Sequence, residues 1–543
     1  MATRIDSRRL PGANLFGERG GAILDVRLEG EAPAAVVAAW TGQARRILAA
    51  VGWPGERTAG RRSGDDLSLY LSAPSDALYA ATELNELAWA AAGATLEGSS
   101  EPELQPGLDD VRRAIAEERK PEWIALQDEA GRRDVAFVAD DEHVSLGMGS
   151  GSVTFPAGHL PEPGRVAWDR VHDVPVVMVT GTNGKSTTVR LLGAIVAASG
   201  KTPGISTTDG LHVGPESIGS GDYSGPEGAR RILRDPRVEV AILETARGGI
   251  QRRGLVVPRV DAAAITNVAA DHLGEFGIHG LTDIADVKMV VARAVKSTGT
   301  LVLNADDPTL VSRAPGIAAT LAWFSLADAG RLIDVTAIPA AFGGAAKHNV
   351  ANAMAAALLA RALGIDKDAT ARGLASFRNG PDENPGRLNL IPLGGATLLV
   401  DYAHNPHGMD ALVAVALTLP AQRRLLLIGQ AGDRDDEAIR ALARSGWQLR
   451  PDAVVIKEMP AYLRGRAQGA VSHIIGDELR RLGATHGQIT HASTELDGVR
   501  SALSWARDGD LLVLPTHANR REVLELIEKL RRSGWRAGAE LPR

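Results

Sequence analysis

The sequence predicts an α/β fold: a central domain on a parallel, doubly wound sheet, a smaller α/β domain after it, and an α+β segment in front. Three observations lead there. From residue 174 onward, apolar runs (VPVVMVT, VEVAILE, VDAAAITN, GTLVLNAD) alternate with helical stretches such as LLGAIVAASG. Buried strands joined by crossover helices make parallel sheets covered on both faces. After a Gly- and Pro-rich stretch at residues 379–386 the alternation resumes, with ATLLVDYA, RRLLLIGQ, AVVIK and DLLVLP as strands. The first part of the chain mixes one strand pattern with amphipathic helices instead. At about 100–200 residues per domain, 543 residues suit three or four domains. The expected divisions are 1–165, 166–380 and 381–543.

Taken in order, residues 22–28 read as a strand. A helix is expected from Ser75, a plausible N-cap after Pro74, through Leu78, Ala81, Leu84, Leu87 and Trp89, ending near Gly93. Residues 148–164 (MGSGSVTFPAGHLPEPG) concentrate Gly and Pro without periodicity and mark a boundary. No internal repeat of 20–50 residues and no low-complexity tract interrupts the chain.

Composition narrows the function classes. Sixty Lys and Arg against 66 Asp and Glu give a net charge of −6, which offers no reason to expect a nucleic acid partner. The absence of cysteine removes disulfides, thiolate nucleophiles and Cys-ligated zinc, so any metal must sit on oxygen or imidazole ligands. The first twelve residues carry Arg4, Arg8 and Arg9 and no apolar core of a signal peptide, and no run of about 18 apolar residues occurs. A soluble cytoplasmic protein with no membrane partner is expected.

The strand at 176–179 runs into Thr180, Gly181, Thr182, Asn183, Gly184, Lys185, Ser186 and Thr187, followed by a helix at 189–198. Strand, glycine loop and helix N-terminus gather backbone N–H groups and the positive dipole end around one anionic pocket. Lys185 would lie against the β and γ phosphates, and the Ser186 hydroxyl would hold Mg²⁺. The pattern G-x-x-x-x-G-K-[ST] is not met, because Val179 stands where its first glycine belongs. The alternative is an ordinary glycine-rich turn between strand and helix.

The string VTGTNGKSTT resembles the ATP loop of the Mur ligase superfamily. STTDG (206–210), GDYSGPEGAR (221–230), LRDP (233–236), ETARGGI (244–250), TN…DHLG (266–274), VLNADDP (302–308) and DYAHNP (401–406) together resemble the Mur-like half of cyanophycin synthetases over about residues 165–540. RRLPGANLFGERGGAILDVRL is faintly similar to the N-terminal domain of those enzymes. The ATP-grasp domain that they carry between these parts has no counterpart here. The resemblance implies a Mur-ligase-like central P-loop domain and a Mur-type C-terminal domain. It also implies an ATP- and Mg²⁺-dependent ligase that joins a carboxylate to an amine through an acyl phosphate.

Glu244 closes the VAILE strand, where open α/β sheets place ligand-binding groups. By resemblance it joins Ser186 on the Mg²⁺, the alternative being a cap for the following turn. The resemblance makes His272 a ligand of a second Mg²⁺, and aligns Lys288 with a lysine carried as a carbamate in many Mur-type ligases. The other reading of Lys288 is a solvated helix lysine. With Lys185, these three are the expected catalytic residues. Asn267, His348 and Asn349, with Asn352 one turn beyond, resemble adenine-side residues. Arg387 resembles an arginine that reaches the nucleotide, and Asp401 the acid on the ribose. Those roles would make residues 379–386 a hinge. Residues 207–209, 221–225 and 247–253 are candidates to line the substrate cleft. Arg247, Arg252 and Arg253 would pair with substrate carboxylates, unless they form a charged surface turn. Gly432, Asp433, Arg434, Asp435 and Asp436 would hold a cationic amino acid or start a solvated helix.

The partners expected are small amino acids or peptides, arginine and an aspartyl side chain being the first to try. A homo-oligomer is compatible with this reading, as is a partner ligase that supplies the acceptor. The rival functions are a ligase for an unrelated small acid, a non-catalytic ATP-binding scaffold and a simple NTPase switch. Lys185, Ser186, Glu244, His272 and Lys288 are all present, which argues against the scaffold.

Overall fold

The strand expected at 22–28 forms as β2 (Gly21–Arg27), flanked by β1 (Thr3–Leu10) and by β4 (Asp66–Ser72), with β3 (Thr58–Ser63) outermost. All three pairings are antiparallel. Alternation sends Ala22, Leu24 and Val26 of β2 to one face, where helices Pro33–Ala50 and Leu78–Leu96 cover them with Trp40, Ile47 and Leu84. The second of these helices starts three residues after Ser75. Glu118 supplies the cap instead, accepting from the backbone N–H groups of Tyr79 and Ala80 at 3.0 and 2.8 Å, while Ser75 donates to Gln127. The helix runs past Gly93, which is buried in its packed face, to Leu96. A short antiparallel sheet follows: β5 (Phe137–Ala139), β6 (His143–Leu146) and β7 (Val153–Pro156). β7 thus lies inside the Gly- and Pro-rich 148–164.

The four apolar runs after residue 174 become β8 (Val176–Thr180), β12 (Val240–Glu244), β13 (Val260–Ile265) and β14 (Val295–Asn304), and β9 (Pro203–Thr207) and β15 (Thr320–Phe324) join them, all parallel. Like β9 and β15, the strands β10 (Gly210–Val213) and β11 (Glu216–Ser220) are not revealed by the runs; these two add antiparallel at one edge. The order is β11-β10-β9-β12-β8-β13-β14-β15. Val176, Met178, Leu243 and Ile265 enter one core, and the helix Lys185–Ala198 buries Leu192, Ile195 and Val196.

The final sheet has the order β16-β17-β21-β18-β19-β20: β16 (Asn389–Leu393), β17 (Ala396–Asp401), β18 (Arg424–Ile428), β19 (Ala453–Lys457), β20 (Ile489–Ala492) and β21 (Leu511–Pro515). Only β16 is antiparallel. Leu399, Leu426, Ile428, Val454 and Val513 face one helical layer, and Leu398, Val400, Leu427, Val455 and Leu512 the other.

The computed structural model describes residues 2–98, 103–271 and 276–542. The chain divides into two compact units: Met1–Val268, Leu273–Ser325 and Ala355–Thr370 in one, and Ala269–His272, Leu326–Met354 and Ala371–Arg543 in the other. Among the described residues no helix is long and apolar enough to cross a membrane.

Candidate active site

Val179 is fully buried in β8, opposite Glu244 and Ala264 on its two neighbours, so its position belongs to the strand. The loop begins two residues later at Gly181 (φ +149°), where an added Cβ would sit 1.8 Å from the Thr266 hydroxyl. No side chain fits there. Gly184 (φ +87°) occupies the left-handed region and starts the helix Lys185–Ala198. The exit of β13 pins the loop down. Thr266 donates to the Asn183 carbonyl at 2.6 Å. Asn267 donates to the same carbonyl and accepts from the Asn183 N–H, both at 3.0 Å. The Lys185 ammonium reaches the carbonyls of Gly181 and Thr182 at 3.2 and 3.1 Å.

Beside the loop, the Ser186 hydroxyl donates to the Glu244 carboxylate at 2.8 Å, with the two residues 5% and 2% exposed. Thr208 grips the same carboxylate twice, through its hydroxyl to Oε1 at 2.8 Å and its N–H to Oε2 at 3.2 Å. Parallel pairing sets this up, because β12 lies between β8 and β9 and all three end on the same edge of the sheet. A buried hydroxyl and a carboxylate within hydrogen-bond reach form a hard oxygen donor pair, which suits Mg²⁺. Among the described residues, no cluster of three or more His, Asp or Glu offers another metal site.

In the other unit, polar groups gather at the carboxyl ends of β17, β19 and β21. Asp401 accepts from the Leu388 N–H at 2.7 Å, and burial pushes its carboxyl above the usual range. The Arg387 guanidinium stacks 4.3 Å from the Tyr402 ring centre, with Arg520 at 5.5 Å. Lys457, fully buried, pairs with Glu495 and donates to the Pro515 carbonyl at 2.6 Å. It also donates to His517 Nδ1 at 3.2 Å, which leaves the Nε2–H to donate to the Ala403 carbonyl at 3.0 Å. His404 meets Asp271 at 3.1 Å, and Arg434 meets the same carboxylate at 3.3 Å.

Residues 179–360 match the Mur ligase middle domain, and residues 386–515 match the Mur ligase glutamate ligase domain. Over these segments the chain belongs to the Mur ligase family. Cyanophycin synthetase of Crocosphaera subtropica is 38% identical over 334 residues, 56% of this chain and 38% of that protein. The Nostoc cyanophycin synthetase is 35% identical over 386 residues, 65% of this chain and 42% of that protein. The chain therefore spans less than half the length of these relatives. The UDP-N-acetylmuramoyl-L-alanyl-D-glutamate–2,6-diaminopimelate ligase of Corynebacterium glutamicum is 25% identical over 449 residues, 75% of this chain and 80% of that protein. Among solved structures, the bifunctional folylpolyglutamate synthase/dihydrofolate synthase of Yersinia pestis is 20% identical, covering 65% of this chain and 89% of that one, with a TM-score of 0.49.

Within the Mur ligase middle domain, the structure brings Lys185, Ser186 and Glu244 together. Glu244 takes hydrogen bonds from Ser186 and Thr208, which lie on other elements than the turn that follows it. Lys288 ends the helix Leu281–Lys288 and is 3% exposed, so a solvated surface lysine is excluded. His272 lies outside the described residues. Asn267 spends its amide on Asn183, and Asn349 donates to the Ala340 carbonyl at 2.9 Å while its oxygen accepts from Asn352 at 3.3 Å. Both amides organise backbone here. Burial beside His407 pushes the neighbouring His348 imidazole down to about 4. Arg252 and Arg253 are exposed and donate to the carbonyls of Gly248 and Arg252, as a charged surface turn would. Arg247 opens their helix.

In the C-terminal Mur ligase domain, Asp435 caps the helix Asp436–Trp447 by accepting from the Ala438 N–H at 2.7 Å, and Asp436 pairs with Arg466. The acids at 435 and 436 thus follow the helix-start alternative. Residues 379–386 are tied down by side-chain amides. Asn384 donates to Asn379 Oδ1 at 2.7 Å, and Asn389 donates to the carbonyls of Asn379 and Asn384 at 2.9 and 3.0 Å. These three buried amides knot the stretch to the start of β16. Thr208 is the residue whose role is hardest to see in the sequence. In the sequence it stands only in STTDG and among the cleft candidates 207–209, since its reach to Glu244 depends on β9 lying beside β12.

Proposed function

We propose that the protein is an ATP- and Mg²⁺-dependent carboxylate-amine ligase acting through an acyl phosphate, with domains at 1–165, 166–380 and 381–543. The Ser186–Glu244 oxygen pair beside the Lys185 loop carries this reading. Bound Mg²⁺ would neutralise phosphate charge, held by Ser186 and Glu244, with His272 and carbamylated Lys288 as ligands of a second ion. The backbone N–H groups of Gly184, Lys185, Ser186 and Thr187 would receive the phosphates, with Thr182 and Asn183 shaping the loop through their bonds to Asn267, and the Lys185 ammonium would leave its loop carbonyls for a phosphate oxygen. Arg387 is assigned to the nucleotide and Asp401 to a ribose hydroxyl, while Asn267 and Asn349 would serve the adenine side through the backbone they hold. In the reaction, an acceptor carboxylate oxygen attacks the γ-phosphorus and ADP leaves. The amine nitrogen then attacks the acyl carbon, phosphate leaves and the nitrogen loses a proton. The similarity to cyanophycin synthetases makes arginine and an acidic amino acid or peptide the first substrates to try.

The test incubates the protein with ATP, Mg²⁺ and pools of amino acids and short acidic peptides, following phosphate release and new masses. Release that depends on both a carboxylate and an amine, with a conjugate lighter than their sum by one water, is the expected result. Silence in every pool, with ATP binding unchanged in Lys185→Ala, would sink the catalytic reading.

A further inference from the structure

β9 ends at Thr207 and β10 begins at Gly210, its antiparallel partner, so Thr208 and Asp209 form a two-residue turn. Such turns favour Gly, Asn and Asp, and a β-branched residue is a poor choice for one. The position of Thr208 has a different cause. It stands at the edge of the sheet where the neighbouring β12 ends in Glu244, and its hydroxyl and N–H take one carboxylate oxygen each, at 2.8 and 3.2 Å. Two contacts from one residue fix both the position and the plane of the carboxylate. The stiff χ1 of threonine holds the hydroxyl in place.

The next residue anchors the turn from the other side. The Asp209 carboxylate pairs with Arg190 at 3.5 Å, with side chains only 2% and 8% exposed. Arg190 lies four residues after Ser186, hence on the same face of the helix Lys185–Ala198. The contacts close a ring: Ser186 to Glu244, Glu244 to Thr208, Asp209 to Arg190, and Arg190 back along the helix to Ser186.

We propose that Thr208 is a positioning residue for Glu244, held in place by the Arg190–Asp209 pair, and that this ring sets the affinity of the Ser186–Glu244 site for a divalent cation. The inference rests on the ligase reading of that site. Partners that orient a metal ligand typically contribute 10–100-fold in metal affinity.

The probe is Mn²⁺ in the presence of ADP, its binding to the full chain followed by electron paramagnetic resonance. Thr208→Val keeps the shape and removes the hydroxyl. It should weaken Mn²⁺ binding by about tenfold or more, leave metal-free ADP binding unchanged, and be largely rescued by Thr208→Ser. A purely structural role would weaken both kinds of binding together. Mn²⁺ affinity in Thr208→Val equal to that of the wild type would overturn the proposal while leaving the ligase reading intact. Failure of the wild type to take up Mn²⁺ with ADP would remove both. If Thr208→Val does not fold, Asp209→Asn carries the test: weaker Mn²⁺ binding with metal-free ADP binding kept is expected, and unchanged Mn²⁺ affinity overturns the proposal.

Discussion

Lys185 folds its ammonium back onto the Gly181 and Thr182 carbonyls, and these are neutral acceptors that a phosphate oxygen outcompetes. Lys185→Ala should therefore keep the circular dichroism of the wild type and lower conjugate-dependent phosphate release by at least about 100-fold. The histidines of the second unit make a pH prediction. Burial holds His348 down to about 4 and His517 well below its ordinary value, so both are neutral in the folded protein. The unfolded chain takes up these protons once pH falls below about 6.5, so stability is lost as pH drops from there toward the folded values. For His348 the loss is at most about 3 kcal/mol and is complete near pH 4. Asp401, raised by burial, works in the opposite direction, favouring the fold at low pH. The histidine effect is therefore read as the difference in melting temperature between wild type and His348→Gln, which should narrow between pH 6.5 and 4. At this scale, Lys185, Ser186 and Glu244 were legible because a glycine loop and strand ends announce them in linear order. Thr208, Arg190 and Lys457 were not, because their partners are brought to them only by strand order.

Among the elements, β8, β12, β13 and β14 of one sheet and β17, β18, β19 and β21 of the other read directly as apolar runs, since both faces are covered. β9, β10, β11, β15, β16 and β20 escaped the same reading; four of them, β11, β15, β16 and β20, stand at the edges of their sheets, where no second neighbour selects an apolar run. The helix Leu78–Leu96 starts late for an equally physical reason: its free N–H groups are met by Glu118, remote in sequence, so no local cap signal exists. Close backbone contact is another feature that spacing hides. Gly12 donates to the Arg253 carbonyl at 3.3 Å, and the Leu255 N–H donates to the Ala13 carbonyl at 2.8 Å, joining the chain after β1 to the end of the helix Arg247–Arg253. A Cβ on Gly12 would lie 1.7 Å from the Leu255 carbonyl oxygen, which is backbone and cannot rotate away. Gly12→Ala should cost about 1–3 kcal/mol by forcing these segments apart. Chemical denaturation checks this through a lowered midpoint at unchanged slope.

The whole chain carries separate cores, those under the first three sheets in one unit and the two layers around the final sheet in the other. How the first 165 residues join the rest was beyond sequence reasoning, because contacts that tie them to the central domain span from about 80 to more than 200 positions. Arg61 pairs with Asp283 at 2.8 Å and Asp286 at 3.2 Å, and Arg8 donates to the Gln251 carbonyl at 3.2 Å. The helix Leu281–Lys288, which ends in the proposed metal-ligating lysine, is thereby gripped by β3. Units with their own cores unfold as their own cooperative steps, so calorimetry should resolve more than one transition. Variants can assign them. Lys457→Met removes a fully buried ammonium and strands Glu495, a loss of about 3–5 kcal/mol, or about 10 °C in a unit of this size. It should lower only the transition of the second unit, while Gly12→Ala lowers only that of the first. A single transition moved by both variants would show instead that the molecule unfolds as one body.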